Sequence, residues 1–300
     1  MPKKAEHPAS KEPATLSLVV CTRNRAQQLS ACLEAVARMT KPTGFELIVV
    51  NNASTDDTAR FLSDFRRGAD FPVVVCDEPT PGLGRARNTG WRASKGDVVA
   101  FTDDDCYVAS DYAEQVLRLF QARDIAYFGG RILLHDPRDY PITIQLSEEE
   151  LQFGPRQFVH AGQIQGANFG FTRVALIECG GFDDNLGAGT EFCCEDVEIV
   201  GRLSAAGKAG LYSPLPVVAH HHGRRAGPVV EELNRQYAIG RGAYYIAMIM
   251  TPGMRLSTTI EWARLMRHQP GAETRREIAA ACRFIWQRRL LKGGKCEAQA

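Results

Sequence analysis

The sequence has no excess of charge. Its 36 lysines and arginines face 35 aspartates and glutamates, for a formal net charge of +1. A general nucleic-acid binder usually carries a large basic excess, so that class is set aside and no nucleic-acid partner is expected. Long apolar runs are missing too. The longest candidate, Tyr244 to Met250, falls far short of the ~20 residues a membrane-spanning helix needs. The opening MPKKAEHPASKEPAT has no apolar segment behind its lysines and does not read as a secretory signal. Residues 1–14 read instead as a disordered lead. No CxxC pair suggests a zinc site. The nine cysteines are odd in number and scattered, and several lie in apolar stretches such as LVVCTR and VVVCDE. They read as reduced thiols packed as small hydrophobes, as in a cytoplasmic protein.

What is present is an ordinary globular composition: 300 residues, 44% hydrophobic and 24% charged, enough for one large domain or two small ones. Leu16 to Cys21 is a continuous apolar run typical of a strand covered on both faces. Ala26 to Met39 places Leu29, Cys32, Leu33, Val36 and Ala37 at helical spacing. Phe45 to Val50 predicts a second strand. Ser54 with Asp57 resembles a capping box that opens a helix faced by Phe61, Leu62 and Phe65. Phe71 to Cys76 predicts a third strand, Gly84 to Ser94 a helix, and Val98 to Thr102 a fourth strand. Such alternation predicts an α/β fold with a mostly parallel central sheet and helices on both faces. Beyond residue 125 the alternation is lost. Strands are predicted at Ile125 to Leu134, Gly166 to Thr172 and Gly210 to Tyr212, with helices near 173–179 and 195–206.

In open α/β sheets, ligands bind outside the carboxyl ends of the strands. The polar clusters fall there: Thr22-Arg23-Asn24-Arg25, Asn51-Asn52, and Asp103-Asp104-Asp105 at the tip of VVAFTDDDCYV. Carboxylates packed this closely repel by about 1 kcal/mol or more per pair even in a watery environment. A divalent cation removes that penalty, and magnesium or manganese takes carboxylates together with substrate phosphates. The competing reading is a solvated loop, or an acidic N-cap for a helix starting near Asp111.

Six segments in order carry a resemblance: LSLVVCTRNR, VVNNASTDDT, GLGRARNTG, FTDDDC, GGFDD with EFCCEDVEIVGRLSAAGKAGLYSP, and VVAHHH. Together, from about Leu16 to Arg224, they resemble a family 2 glycosyltransferase with the GT-A fold. The resemblance implies a Rossmann-like donor half at 15–125 and an acceptor half with a mixed sheet at 126–226. A helical C-terminal extension would cover 227–300. It implies an inverting, metal-dependent transfer of a sugar from a nucleoside-diphosphate sugar to the hydroxyl of a saccharide or lipid-linked acceptor. Cell-surface polysaccharide or glycoconjugate synthesis is the expected setting.

The resemblance also assigns roles. Thr22, Asn24 and Arg25 would hold the donor's base and ribose, although Asn24 could equally be the N-cap of the helix that follows. Asn52 would also face the donor, and Asn51 would bind it or cap the Ser54 helix. The family usually has an aspartate in that pair, so the base stays open. Gly84 would let backbone approach the donor, with Arg87 and Asn88 facing it. Asp103 would contact ribose or base and Asp105 the metal, Mn2+ or Mg2+. Asp104 would point the other way along an extended chain. Asp196 would be the general base, with Glu195 the alternative. Acids at a helix start also stabilise its dipole by ~0.3–1 kcal/mol. His220 and His222 would share one face and His221 the other, with His220 the metal ligand; a plain polar strand end is the competing reading.

The tail from Arg255 to Lys295 is arginine-rich, with Trp262 and Trp286 interspersed. It lacks the family's QxxRW motif, so a processive synthase is not expected. Its apolar stripes suit helices packing on the catalytic domain or on a partner in a homodimer. An interfacial helix touching anionic lipid at the inner membrane face is the alternative. Two rival functions remain. A nucleotidyltransferase should carry a glycine-rich, lysine-bearing signature after the first strand, which Thr22-Arg23-Asn24-Arg25 is not. A non-catalytic nucleotide-sugar-binding protein is opposed by the intact acids and favoured by the Asn51-Asn52 departure.

Overall fold

The computed structural model describes residues 14–297, with side chains described through 290. The lead read as disordered lies, apart from Ala14, outside the described residues, and the side chain of Cys296 lies outside those described. The first half alternates as expected. The order is β1 (Leu16–Thr22), α1 (Ala26–Arg38), β2 (Glu46–Asn52), α2 (Thr58–Gly68), β3 (Val73–Glu78), α3 (Leu83–Ala93) and β4 (Val98–Asp103). There follow β5 (Cys106–Val108), α4 (Tyr112–Ala122), β6 (Tyr127–Leu134), β7 (Leu151–Phe153), β8 (Asn168–Thr172), α5 (Arg173–Cys179), α6 (Glu195–Ala205) and β9 (Gly210–His220). Three helices close the chain: α7 (Pro228–Met250), α8 (Arg255–His268) and α9 (Gly271–Glu297).

All nine strands join one sheet in the order β3-β2-β1-β4-β8-β6-β9-β5, with β7 also paired to β9. The pairs β3-β2, β2-β1 and β1-β4 are parallel. The direction then mixes: β4-β8, β8-β6, β9-β5 and β9-β7 are antiparallel, and β6-β9 is parallel. The period of two in a strand divides the core. Leu16, Leu18 and Val20 pack with α1, α2 and α4 on one face, where Leu29, Leu33, Leu62 and Val116 lie buried. Val19, Ile48, Val99 and Phe101 face the other side, against α3, α5 and α6. Such continuous burial is why β1, β2 and β4 read as unbroken apolar runs. A third cluster, from Phe158 and Phe192 to Tyr244, Trp262 and Phe284, joins the three closing helices to the sheet domain.

Local structure departs from the sequence reading in three places. The second helix starts at Thr58 rather than at Ser54, and no capping box forms. Asp56 accepts from both the Thr58 amide and hydroxyl, at 3.0 and 2.5 Å. Strand β9 runs eight residues past Tyr212, through Pro214 and Pro216. Prolines cannot donate to a ladder, and the register against β6 shifts between Gly130 and Arg131 to absorb them. Asn168 satisfies the bulge by donating to the carbonyls of Arg131 and Pro216, both at 2.9 Å. The third departure is the acidic tip. Asp104 and Asp105 form a tight turn into β5, not a continued extended chain.

Candidate active site

The long β9 brings its last residue, His220, beside β5 and opposite Cys106. The turn after β4 then places Asp105 against it. His220 Nε2 is 3.1 Å from Asp105 Oδ1, and both side chains are almost wholly buried. The other ring nitrogen, Nδ1, is 3.2 Å from the Thr143 carbonyl. Thr143 has φ 56, a left-handed conformation that a β-branched residue rarely adopts. Such strain costs ~1–3 kcal/mol and tends to persist at functional sites. Donor atoms of Asp103, Asp105, Cys106 and His220 all lie within 4.8 Å of one another.

Those four groups suit a hard divalent cation through three of their number. A hard cation prefers oxygen to sulfur ligands, which sets Cys106 aside; burial also pushes its thiol well above its ordinary range. Burial works to raise Asp105 as well, but hydrogen bonds from His220 and Arg25 outweigh it and hold its carboxyl well below the usual range. Burial raises Asp103, against the pull of Arg87. An Nδ1–H held by a backbone carbonyl would leave Nε2 free to ligate, the common arrangement behind a metal-bound histidine. Asp103, Asp105 and His220 therefore fit Mn2+ or Mg2+. Cys106 was read from sequence only as a core thiol. Thr143 lies in the irregular segment after β6 and gave no signal.

Asp104 is turned out of this cluster. It accepts from Thr22 Oγ1 at 2.6 Å and from Arg25 Nη1 at 2.5 Å. Arg25 also reaches Asp105 Oδ2 at 2.9 Å. Thr22 and Arg25, expected at the donor's base and ribose, are thus engaged in holding the acidic turn. The three His side chains separate as alternation requires. The His220 and His222 rings lie 5.1 Å apart, whereas His221 is exposed and meets the Tyr107 hydroxyl at 2.8 Å.

Several residues expected to face the donor make contacts that hold loops. Asn24 does not cap α1: its Oδ1 accepts from the Thr55 amide at 2.7 Å, and its own amide donates to Ser54 Oγ at 3.0 Å. Its φ of 54 suits the left-handed turn that this requires. Asn52 donates to the carbonyls of Glu78 and Thr80 and accepts from the Gly82 amide. Asparagine has both functions, which aspartate lacks, and Asn52 uses both here. Asn51 donates to Asp77 and caps no helix. Asn88 is saturated by Phe182, Asp184 and Trp91. A Cβ on Gly84 would meet the Asp183 and Leu186 carbonyls at 2.5 and 2.7 Å. Gly84 and Asn88 therefore admit and clamp the 182–187 loop.

Arg87 is the buried centre of the site. Its Nη1 donates to Glu195 Oε1 at 2.6 Å, and its Nη2 reaches the Gly166 carbonyl at 3.2 Å and Asp103 Oδ1 at 3.4 Å. The guanidinium lies 4.9 Å from the Phe169 ring centroid. A Cβ on Gly166 would come 2.5 Å from Nη2, so a larger residue there would displace the guanidinium from this position. Burial pushes Glu195 up to about 7, with Arg87 pulling it down. Asp196 is half-buried and differently held. Its Oδ2 accepts from the Gly166 amide at 2.8 Å and its Oδ1 from the Val197 amide at 2.7 Å. Acids from the tip of β4 and the start of α6 thus converge around one arginine.

A sequence model of one family, described as Glycosyl transferase family 2, matches residues 17–177, more than half of the chain. The chain belongs to glycosyl transferase family 2. It is a glycosyltransferase with the mixed α/β GT-A fold. Glycosyltransferase AglE of Haloferax volcanii is 26% identical over 244 residues, covering 78% of this chain and 74% of that protein. The glucosyl-dolichyl phosphate glucuronosyltransferase of the same organism is 28% identical over 181 residues, covering 57% of each. Among solved structures, the mannosyltransferase PcManGT of Pyrobaculum calidifontis, in complex with GDP-Man and Mn2+, superposes with a TM-score of 0.62 at 19% identity. It covers 98% of this chain and 85% of that one. S. aureus TarS 1-349 with UDP-GlcNAc gives a TM-score of 0.65 at 16% identity, covering 90% of this chain and 80% of that one. In this transferase the matched segment carries the β4 tip and Arg87, while Glu195, Asp196 and His220 lie beyond it.

Proposed function

We propose that the transferase moves a sugar from a nucleoside-diphosphate sugar to an acceptor hydroxyl, with inversion and with a divalent cation at Asp103, Asp105 and His220. The acceptor class is a saccharide or a lipid-linked sugar, in the synthesis of surface polysaccharide or glycoconjugates. The observation that carries this is the clustering of those three side chains at the carboxyl ends of the parallel strands. The solved neighbours bound to GDP-Man with Mn2+ and to UDP-GlcNAc support the donor class. When bound, the cation supplies neutralisation of the diphosphate as it leaves.

The chain's own residues divide the remaining work. Arg25 and Thr22 hold the acidic turn in shape by tying down Asp104. Arg87 keeps Asp103 and Glu195 together and fixes Gly166. Asp196 receives the acceptor proton. Two backbone amides orient its carboxylate, and each oxygen keeps a lone pair for the acceptor. Glu195 is the weaker candidate because its nearer oxygen is bound to Arg87 in a buried pair. Removing the proton as the hydroxyl attacks, opposite the departing diphosphate, inverts the anomeric centre in one displacement. The test is a thermal-shift and hydrolysis panel of nucleotide sugars with manganese. One donor should raise the melting temperature and be slowly hydrolysed. No stabilisation by any nucleoside diphosphate with manganese would overturn the reading.

A further inference from the structure

Helix α9 buries one face and leaves an unusual one outside. Glu277, Ala280, Ala281 and Phe284 are buried against the rest of the protein, which turns the opposite stripe to solvent. Along that stripe run Arg275, Ile278, Cys282 and Trp286, at intervals of three and four, and then Arg289 and Leu290, three and four residues beyond Trp286, all exposed. Ile278 is 46%, Trp286 63% and Leu290 55% exposed. Among the described residues the stripe carries no carboxylate, and neither arginine makes an ion pair. Two further arginines of the helix are paired instead: the exposed Arg283 with Glu191 at 2.5 Å, and Arg288 with Asp183. Neighbouring α8 also exposes Leu256 and Ile260.

We propose that this outward face of α9 is a docking surface for an anionic lipid bilayer. Three observations select that occupant. Tryptophan with aliphatic neighbours, flanked by arginines that reach headgroups, is the side-chain set of an interfacial helix. Both charges are of the sign that an anionic leaflet attracts. A second copy is disfavoured, because a two-fold pair would set the same face against itself and arginine against arginine. No helix among the described residues is long and apolar enough to cross a membrane. The inward face of α9 meanwhile holds the 182–192 loop, through Arg288 with Asp183, Arg283 with Glu191, and Phe284 with Phe192 at 5.5 Å. The docked helix is therefore the one that supports the loop clamped by Gly84 and Asn88, and acceptors in the same lipid surface would be presented beside it. The docking itself does not depend on the sugar-transfer reading.

The full chain serves as its own probe. Of its three tryptophans, Trp91 and Trp262 are buried and Trp286 is exposed. Vesicles of phosphatidylcholine rich in phosphatidylserine should pellet the protein and shift its fluorescence to the blue. Pure phosphatidylcholine vesicles should do neither. Trp286→Ala should abolish the shift. Arg275→Glu with Arg289→Glu should lower partitioning by at least about tenfold. These exposed changes should leave the melting temperature unaltered, which a thermal scan checks. Equal partitioning into both vesicle types, no partitioning into either, or unchanged partitioning by the double-charge variant would overturn the proposal. So would light scattering that showed a dimer, without lipid, lost in Trp286→Ala.

Discussion

His220 Nε2 lies 3.1 Å from Asp105 Oδ1, although His220 ends the last strand of the sheet and Asp105 lies in the turn between β4 and β5. The contact exists because β9 continues through two prolines to pair with β5, and because β5 follows the acidic turn directly. Asp105→Ala should abolish manganese-dependent stabilisation by a nucleoside diphosphate, and His220→Ala should weaken it. His221→Ala should change it little, since that ring faces Tyr107 at the surface. Equal and negligible effects at 220 and 221, measured by thermal shift, would return the run to a polar strand end.

Asp196→Asn keeps a hydrogen-bonding group at the start of α6 and removes the proton acceptor. General-base assistance contributes about 10²–10⁴-fold, so transfer should fall by that factor while donor affinity by calorimetry changes little. Glu195→Gln should be milder. Near-normal transfer by Asp196→Asn, with Glu195→Gln inactive, would hand the role to Glu195.

Arg87→Ala should be the most destabilising single change at the site. It strips a buried carboxylate, Glu195, of its 2.6 Å partner. Breaking a buried pair by removing one partner costs about 3–5 kcal/mol, readable as a lower urea midpoint. A loss below ~1 kcal/mol would mean that Glu195 is protonated in the fold and hardly needs the arginine.

Glu195 predicts a pH dependence with a definite sign. Burial raises its carboxyl from 4.5 to about 7 in the folded protein. The folded state then holds a proton that the unfolded state has released, so this group's contribution to stability falls as pH climbs from ~4.5 to ~7 and levels off beyond. Glu195→Gln should lack that slope. Identical pH profiles of melting temperature for the two proteins would show that Glu195 ionises normally.

Gly84→Ala places a methyl group 2.5 Å from the Asp183 carbonyl. The backbone of the 182–187 loop must shift, at about 1–3 kcal/mol, and acceptor KM should rise more than donor KM. Unchanged stability and KM would show the loop to be loosely held.

The parallel half of the sheet was legible because its strands are buried on both faces. Continuous runs such as Leu16 to Cys21 and Val98 to Thr102 record that burial residue by residue, and helical spacing from Leu29 to Val36 records the face laid upon it. The clustering of carboxylates at Asp103 to Asp105 was equally visible, since like charges side by side already call for a partner. Strand β9 was legible only to Tyr212. Pro214 and Pro216 break the local pattern, and the bulge that accommodates them depends on Asn168, distant in sequence.

By itself, then, the sequence determined which residue types stand at the strand ends and in what order the elements run, because both follow from neighbours along the chain. Tertiary structure alone decided how each polar side chain is used. Thr22 and Arg25 turn to Asp104, Asn24 to the 54–55 loop, Asn52 to the 78–82 backbone and Asn88 to the 182–184 loop. Arg87 meets Glu195 across 108 positions of chain. A side chain's hydrogen-bonding capacity is written in its identity, but its partner is set by which backbone and which charges the fold brings within about 3 Å.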